Sequence, residues 1–362
     1  MARSPIFYNA DVKTWDVIVI GGGIIGLSLA IALRKRGATV LIVERGEPGR
    51  EASHAAGGML VDCSSETQPE LRGLATASAK MYPEFVHELQ VESGVNVDLR
   101  EYGTIVIPSA PEEPEFTHSS PLTTALSELE PRLARPDRPA FYLKERCVDP
   151  RNLVAAALKT AKNRGVDFSS GDEVAAVVIA EGRVTGITTR KTSFHSNTVV
   201  NCAGAWSGQI APHPFPTRPV KGQMLYLVMP SRTFLKHVIR APQAYLIPRS
   251  DGRLLVGTTT EEAGFDKRTD PAAIQRLFRA AVELAPQLRD ARILEDWAGL
   301  RPGTPDALPI LGATATSGYY AATGHYRDGI LLAPITAQVI ADVITNGKCE
   351  HDLSAFSPAR FL

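Results

Sequence analysis

The chain has 362 residues, of which 44% are hydrophobic and 22% charged, a composition typical of a globular protein long enough for two domains. Its 39 basic residues equal its 39 acidic residues, so the charge favours neither nucleic acid nor an anionic membrane as a partner. Residues 1–15 lack the apolar core of a signal peptide, and no run of about 18 apolar residues predicts a membrane span. Four cysteines without C-x-x-C spacing argue against a metal site or a disulfide framework and fit a reducing cytoplasm: Cys63, Cys147, Cys202 and Cys349.

A glycine-rich turn organises the N-terminal part of the chain. Residues 16–20 predict a strand, the sequence GGGIIG follows at 21–26, and residues 27–36 continue as a helix. Such a turn lets backbone N–H groups approach a pyrophosphate, whose charge the helix N-terminus favours. The pattern is weak alone, but residues 39–43 predict a second strand that ends at Glu44, the usual position of a carboxylate that binds a ribose 2′-hydroxyl. We therefore predict a site for FAD or NAD, since Glu44 would repel the 2′-phosphate of NADP.

The segment after Glu44 is rich in small residues. Residues 53–59 have the sequence Ser-His-Ala-Ala-Gly-Gly-Met, which permits close approach of the backbone to a flat ring. The flavin or nicotinamide end of a dinucleotide is one interpretation. A flexible connector is the other, and the segment alone does not decide between them.

Periodicity and turn residues predict the elements in the middle of the chain. Asp149 and Pro150 mark a helix start, with aspartate as the cap and proline in the first turn. The predicted elements are helices at 71–93, 122–129, 151–164 and 271–285, strands at 102–108, 223–229, 244–248 and 253–259, and a small antiparallel meander at 166–192. Because this region is too long for a loop, we expect a second domain that interrupts the first.

An apolar strand at 198–202 ends in Ala203 and Gly204. Small residues at a strand end allow that end to lie against a cofactor. Cys202 is interpreted as a buried hydrophobe rather than a nucleophile, because no charged neighbour in the sequence would lower its pKa.

Two arginines mark the C-terminal part. Arg301 lies between a strand-like run and a proline turn, and Arg327 lies between glycines after a strand at 319–323 and before a helix at 330–343. Glycines beside charges at a helix start suit a bound anion or a flavin carbonyl, and two arginines can clamp a carboxylate. Surface salt bridges are the alternative.

Together these motifs resemble the D-amino-acid oxidase family of flavoenzymes, and most closely its glycine oxidase branch, which serves bacterial thiamine biosynthesis. The similarity spans nearly the whole chain: GGGIIG, SHAAGGML, NCAGAWS, RPVKGQM, YLIPRSDGRLLVG, WAGLRPGTPD and GHYRDGILLAP. The last two motifs are specific, whereas the first occurs in many flavin and NAD proteins. The resemblance implies an α/β fold with a discontinuous Rossmann-like FAD domain at 1–80, 146–212 and 296–362. A substrate domain with an antiparallel sheet would occupy 81–145 and 213–295.

The resemblance also implies roles for individual residues. Arg301 would pair with the substrate carboxylate, the Tyr245 hydroxyl would assist, and Arg327 would be a second pocket arginine. Residues 57–59 and 325–331 would line the flavin, and the backbone of Val174 would contact adenine. The residues expected to bind non-covalent FAD are Gly21, Gly23, Ile24, Ile25, Gly26, Glu44, Arg45, Ala52, Ser53, Gly57, Gly58, Met59, Val174, Gly204, His325, Tyr326, Arg327, Asp328, Gly329, Ile330 and Leu331.

Three departures from the family pattern qualify these expectations. Gln243 stands where glycine oxidases have a pocket histidine, and Thr260 where they have a methionine, so a strict preference for glycine is in question. His54 lies in a setting similar to that of flavoproteins with histidine-linked FAD, but a histidine beside flavin is usually a hydrogen-bonding neighbour. The cysteine that links FAD in monomeric sarcosine oxidases has no counterpart near residues 300–302.

The activity that the resemblance implies is oxidation of glycine, sarcosine or a small D-amino acid. Hydride would pass to flavin N5, and molecular oxygen would reoxidise the flavin with release of hydrogen peroxide. The alternatives are a dehydrogenase that uses a quinone or another acceptor, and a flavin-binding protein without catalysis. The sequence leaves a homo-oligomer open.

Overall fold

The computed structural model describes residues 13–62, 67–108, 119–121, 125–134 and 140–361. Cys63, most of residues 1–15 and much of 111–139, including the start of the helix predicted at 122–129, lie outside the described residues. The helices are α1 (Ile24–Lys35), α2 (Ala52–Ala55), α3 (Arg72–Ser93), α4 (Leu126–Leu129), α5 (Pro150–Asn163), α6 (Pro271–Leu284) and α7 (Gly329–Asn346). The strands are β1 (Val17–Ile20), β2 (Val40–Glu44), β3 (Met59–Leu60), β4 (Leu99–Arg100), β5 (Thr104–Val106), β6 (Ser119–Pro121), β7 (Phe141–Leu143), β8 (Arg146–Val148), β9 (Asp167–Ser170), β10 (Val174–Ala180), β11 (Arg183–Thr189), β12 (Ser193–His195), β13 (Val199–Asn201), β14 (Arg218–Val228), β15 (Val238–Arg240), β16 (Tyr245–Pro248), β17 (Arg253–Gly257), β18 (Ile293–Gly303), β19 (Ile310–Ala313) and β20 (Tyr319–Thr323).

A six-stranded sheet carries the predicted dinucleotide turn. Its order is β19-β20-β13-β1-β2-β9, and its strands are parallel except β19. The prediction that residues 166–192 form one meander is partly wrong, because β9 pairs in parallel with β2. Only β10 and β11 continue antiparallel, joined by β12 in a separate three-stranded sheet.

Helices α1, α3, α5 and α7 share one hydrophobic core with the six-stranded sheet. The Asp149 carboxylate accepts a hydrogen bond from the Arg151 N–H at 2.9 Å, which confirms the predicted cap of α5. Helix α7 is long and apolar enough to cross a membrane by length and composition, contrary to the expectation from the sequence. Most of it is buried here against α1 and α3, as in the core helix of a globular fold.

A second sheet of eight strands forms the other half of the molecule. Its order is β18-β14-β17-β16-β15-β5-β7-β6, antiparallel except where β15 runs parallel to β5. One face packs on α6 in a core of aliphatic residues. The opposite face, with Met224, Tyr245 and Ile247, lies against Met59 from the other half. A cavity therefore forms between this face and the six-stranded sheet.

Two of the predicted domain boundaries fall inside continuous elements. Residue 80 lies within α3, whose core residues pack with α1, α5 and α7. Residue 296 lies within β18, which continues to Gly303 at the edge of the eight-stranded sheet. Pro302 is therefore a strand residue rather than part of a turn, and an edge strand tolerates it because one side of its backbone is unpaired.

Candidate FAD and substrate site

One cavity of about 1160 Å³ runs between the two large sheets. Of the predicted cofactor residues, all but Gly26 and Leu331 line it, and so do Tyr245, Arg301, Gln243 and Thr260. The structure therefore brings together groups that are up to about 300 positions apart in the sequence. The glycine turn, Tyr245 and Arg301 all line this one cavity.

The glycine turn needs its glycines for different steric reasons. Gly21 has φ +105°, and a Cβ there would lie 2.5 Å from the carbonyl oxygen of Cys202 at the end of β13. A Cβ on Gly26 would lie 2.0 Å from the carbonyl oxygen of Gly21. Gly26 thus packs α1 against the turn and does not line the cavity, and its contact with the cofactor stays a prediction. Gly21 and Gly23 do line the cavity.

Glu44 is a buried carboxylate at the end of β2, with 7% exposure. Its Oε2 accepts from the Gly22 N–H at 2.8 Å, and its Oε1 accepts from the Gly46 N–H at 2.9 Å. Each carboxylate oxygen has two acceptor sites, so a hydroxyl in the cavity can still donate to it. The residue therefore fixes the turn and also presents negative charge to a ligand.

The segment with small residues lies between the two halves. The Ile24 N–H at the start of α1 donates to the Ser53 hydroxyl at 3.0 Å, and the Trp297 indole N–H of β18 donates to the Ala55 carbonyl at 3.1 Å. A Cβ on Gly299 would lie 2.4 Å from the Cβ of Ala55, so glycine is needed where β18 meets α2. Residues 55–59 all line the cavity, which supports a place beside a flat ring rather than a flexible connector.

Arg301 extends from β18 across its neighbouring strand. Its Nη2 donates to the Thr258 hydroxyl at 2.8 Å and its Nη1 to the Thr259 carbonyl at 3.3 Å. A Cβ on Gly222 would lie 2.5 Å from the Arg301 Cζ, so the glycine of β14 gives the guanidinium room to lie over the strand. Burial lowers the pKa of Arg301, but a guanidinium remains protonated in proteins. The site thus offers a fixed positive charge held by neutral groups.

Tyr245 lies across the next strand of the same sheet. Its hydroxyl donates to the Met224 Sδ at 3.4 Å, and a Cβ on Gly257 would lie 2.7 Å from its ring. Burial raises the pKa of the Tyr245 phenol, with the nearby Arg301 charge opposing the rise. The phenol is therefore protonated at neutral pH and acts as a hydrogen-bond donor.

Arg327 and His325 differ from Arg301 in exposure. Arg327 is exposed, and its guanidinium lies 5.2 Å from the centre of the Tyr326 ring. His325 is buried, and its Nε2 lies 3.1 Å from the Thr336 hydroxyl. Burial lowers the pKa of the His325 imidazole to about 3, so the ring is neutral. Gln243 and Thr260 are exposed residues of the cavity wall.

These residues fit a dinucleotide with a flat ring. The glycine turn and the N-terminus of α1 suit a pyrophosphate, Glu44 suits a ribose hydroxyl, and residues 55–59 suit the ring. The family model of FAD-dependent oxidoreductases, DAO, matches residues 16–343. The chain belongs to this family. Its resemblance to the family, its mixed α/β fold class and its use of FAD are thereby confirmed.

Relatives of this FAD-dependent oxidoreductase include glycine oxidases. The chain is 38% identical over 359 residues to the bifunctional protein ThiO/ThiG of Synechocystis sp., covering 96% of this chain and 54% of that protein. The chain thus spans about half the length of that relative. It is 33% identical to the glycine oxidase of Pseudomonas putida, covering 95% of this chain and 98% of the relative. The crystal structure of glycine oxidase from Geobacillus kaustophilus superposes with a TM-score of 0.91 at 30% identity, covering 97% of this chain and all of that one.

His54 and Leu331 of the oxidoreductase lie outside the cavity wall, as does Gly26. His54 does not line the cavity, and its Nε2 lies 3.1 Å from the Arg50 Nη1. Burial lowers the pKa of His54, with Arg151 and Arg50 acting in the same direction. Leu331 is buried in the hydrophobic core and does not line the cavity, and its contact with the cofactor stays a prediction.

The first turn of α7 is held from behind by α3. Pro334 lacks the N–H that would bond to the carbonyl of Ile330, and the Tyr82 hydroxyl donates to that carbonyl instead. The Ser78 hydroxyl donates to the next carbonyl, that of Leu331, at 2.6 Å. These bonds fix the helix start where Asp328, Gly329 and Ile330 line the cavity.

Sequence reasoning missed an aromatic stack beside the cavity. The Arg45 guanidinium lies 4.5 Å from the centre of the Trp206 ring, and Phe265 stacks on Trp206 at 5.3 Å. Arg45 and Trp206 line the cavity. It also missed the roles of Gly222 and Gly257, although Gly257 lies inside the strand predicted at 253–259, where a glycine is a signal of close approach by another group.

Proposed function

We propose that this oxidoreductase oxidises glycine, sarcosine or a small D-amino acid to its imino acid. One observation carries the proposal: Arg301 and Tyr245 lie over glycine positions of the eight-stranded sheet, in the same cavity as the segment that suits a flavin ring. A guanidinium can bind both oxygens of a carboxylate. The resemblance to glycine oxidases supports an amino acid as the bearer of that carboxylate.

The side chains bind and orient the substrate. Arg301 receives the carboxylate, since its contacts to Thr258 and Thr259 hold the guanidinium without neutralising it. Tyr245 donates a hydrogen bond, because burial keeps its phenol protonated. Neither group acts as a base, and none is required if the amine binds in its neutral form. Their contribution is the geometry in which the α-carbon faces the ring.

FAD held by these residues would supply the redox chemistry, namely acceptance of a hydride from the α-carbon and reduction of molecular oxygen to hydrogen peroxide. We propose that FAD is held non-covalently, because His54 lies off the cavity wall and is within hydrogen-bonding distance of Arg50. Acid precipitation should then leave the yellow colour in the supernatant. A yellow pellet would show a covalent link. The imino acid would hydrolyse in water.

A panel of glycine, sarcosine, D-alanine, D-proline and larger D-amino acids tests the reaction. We expect at least one of them to bleach the yellow holoenzyme under anaerobic conditions, and air to restore the colour with stoichiometric peroxide. Bleaching without recolouring by air would favour a dehydrogenase that uses a quinone or another acceptor. Absence of bleaching by every member would favour a non-catalytic flavoprotein and contradict the proposal.

A role in thiamine biosynthesis is proposed from the resemblance to the glycine oxidase branch.

A further inference from the structure

Arg249 is a buried cation next to the cavity. It is 1% exposed and directly follows β16, on the same face as Tyr245 and Ile247, because side chains alternate along a strand. Burying a guanidinium costs free energy unless its donors are satisfied. The neighbouring carboxylate of Asp149 instead pairs with Arg253 at 2.8 Å. The N–H donors of Arg249 therefore bond to acceptors other than this carboxylate.

Two backbone carbonyls accept from this guanidinium. Nη2 donates to the Gly57 carbonyl at 2.7 Å, and Nη1 donates to the Val148 carbonyl at 2.9 Å. The Val148 N–H in turn donates to the Gly58 carbonyl at 2.8 Å. Gly57 and Gly58 line the cavity, whereas Arg249 does not. The arginine thus holds the flavin-facing segment from behind.

This contact fixes the plane of the peptide between Gly57 and Gly58. In a trans peptide the C=O and the N–H point in opposite directions. Because the Gly57 carbonyl is directed at Arg249, behind the segment, the Gly58 N–H is directed away from Arg249, to the side where the cavity lies. A charged donor on the carbonyl also polarises the peptide and strengthens its N–H as a donor.

The geometry of Gly58 allows little alternative. Its φ is +81°, and a Cβ there would lie 2.0 Å from the Val148 carbonyl oxygen. Gly57 is less tightly confined, since a Cβ there would lie 3.2 Å from the Ile247 Cδ1 and 3.4 Å from the Tyr245 hydroxyl oxygen. Gly57 and Gly58 therefore lie between the eight-stranded sheet and the cavity, and the hydrogen bond from Arg249 holds them in place.

We propose that Arg249 is a positioning residue that orients the Gly58 N–H toward the ring of bound FAD. Its charge, transmitted through the Gly57–Gly58 peptide, favours the reduced form of the flavin, which carries more negative charge. This inference depends on the proposed function only in that FAD occupies the cavity. It does not depend on which amine is oxidised.

The test compares Arg249→Met and Arg249→Lys with Arg253→Met, a matched loss of an arginine from the adjacent strand. The midpoint potential of bound FAD is measured by equilibration with a reference dye, and FAD affinity by titration of the apoprotein. We expect Arg249→Met to lower the equilibrium constant for reduction at least tenfold, about 30 mV for a two-electron couple, and to weaken FAD binding. Arg249→Lys should have a midpoint potential and an FAD affinity between those of Arg249→Met and the parent. Arg253→Met should keep the midpoint potential of the parent.

A folded Arg249→Met protein with the parent's potential would overturn the proposal, as would an equal shift in Arg253→Met. If Arg249→Met does not fold, amide hydrogen exchange of Gly58 in the unsubstituted chain decides. Exchange at least tenfold slower with FAD than without supports the inference, and equal exchange overturns it. Failure of the proposed function would appear separately, as a holoenzyme that no amino acid bleaches but whose potential still responds to Arg249.

Discussion

Glu44 and Arg301 are largely buried charges on the two halves of the cavity, but they are held in different ways. The Glu44 carboxylate accepts from backbone N–H groups of the glycine turn that it helps to shape. The Arg301 guanidinium donates to Thr258 and Thr259, which directly follow β17. Neither uses an ion pair within the described part of the chain to hold it, so both charges remain available to a ligand. Glu44 thus helps to form the turn through its own hydrogen bonds. The Arg301 guanidinium instead lies over Gly222 of β14, a strand that pairs with its neighbours without it.

We therefore predict that removing the Arg301 charge weakens carboxylate binding and leaves the stability of the fold unchanged. A charge-assisted hydrogen bond contributes about 1.5 to 3 kcal/mol, so losing a two-bond clamp should lower kcat/KM on the order of a hundredfold or more. Arg301→Met should keep the flavin spectrum and the melting temperature of the parent. Titration with benzoate or glycolate, followed by flavin absorbance, measures the loss of carboxylate binding directly.

Arg327→Met is the control for Arg301→Met. Arg327 is exposed and belongs to the segment before α7 that lines the cavity. We expect its loss to change the flavin environment more than the affinity for carboxylates. If Arg301→Met binds both inhibitors as tightly as the parent, Arg301 is not the carboxylate anchor.

Substitution of Glu44 should instead weaken FAD binding and destabilise the glycine turn together. Glu44→Ala removes the acceptor of the Gly22 and Gly46 N–H groups as well as the proposed partner of the ribose. We expect roughly tenfold to a hundredfold weaker FAD binding from the loss of one charged hydrogen bond, and a lower melting temperature of the apoprotein.

Glu44→Gln separates the two contributions. It keeps one amide oxygen as an acceptor but removes the charge, so it should preserve more of the apoprotein's stability than of its FAD affinity. Titration of apoprotein with FAD and thermal unfolding without FAD measure the two effects. Unchanged FAD affinity in Glu44→Ala would contradict the assignment of Glu44 to the ribose.

The same contrast explains what the sequence could predict. The strand, turn and helix at 16–36, the strand that ends at Glu44 and the cap of α5 depend on residues that are close in sequence, and these predicted elements agree with the structure. The positions of Gly222 under Arg301 and Gly257 under Tyr245 depend on the register of strands far apart in sequence. That register follows from packing of the whole sheet, so no local pattern shows it. The contact of Arg249 with Gly57 has the same origin, since 192 positions separate the two residues.

The smallest expected effect concerns substrate range. Gln243 and Thr260 are exposed in the cavity wall and stand where the glycine oxidase pattern has histidine and methionine. A threonine leaves more room than a methionine, and a methylene-sized change in an enclosed pocket alters discrimination between substrates by about 1 to 3 kcal/mol.

Because position 260 is exposed, we expect Thr260→Met to lower kcat/KM for D-amino acids with larger side chains only severalfold, with little change for glycine. Gln243→His should act in the same direction, and Arg301→Met should not alter the ratio. Kinetics with glycine, D-alanine and a larger D-amino acid measure these ratios, and a parent enzyme confined to glycine and sarcosine would contradict the wider pocket.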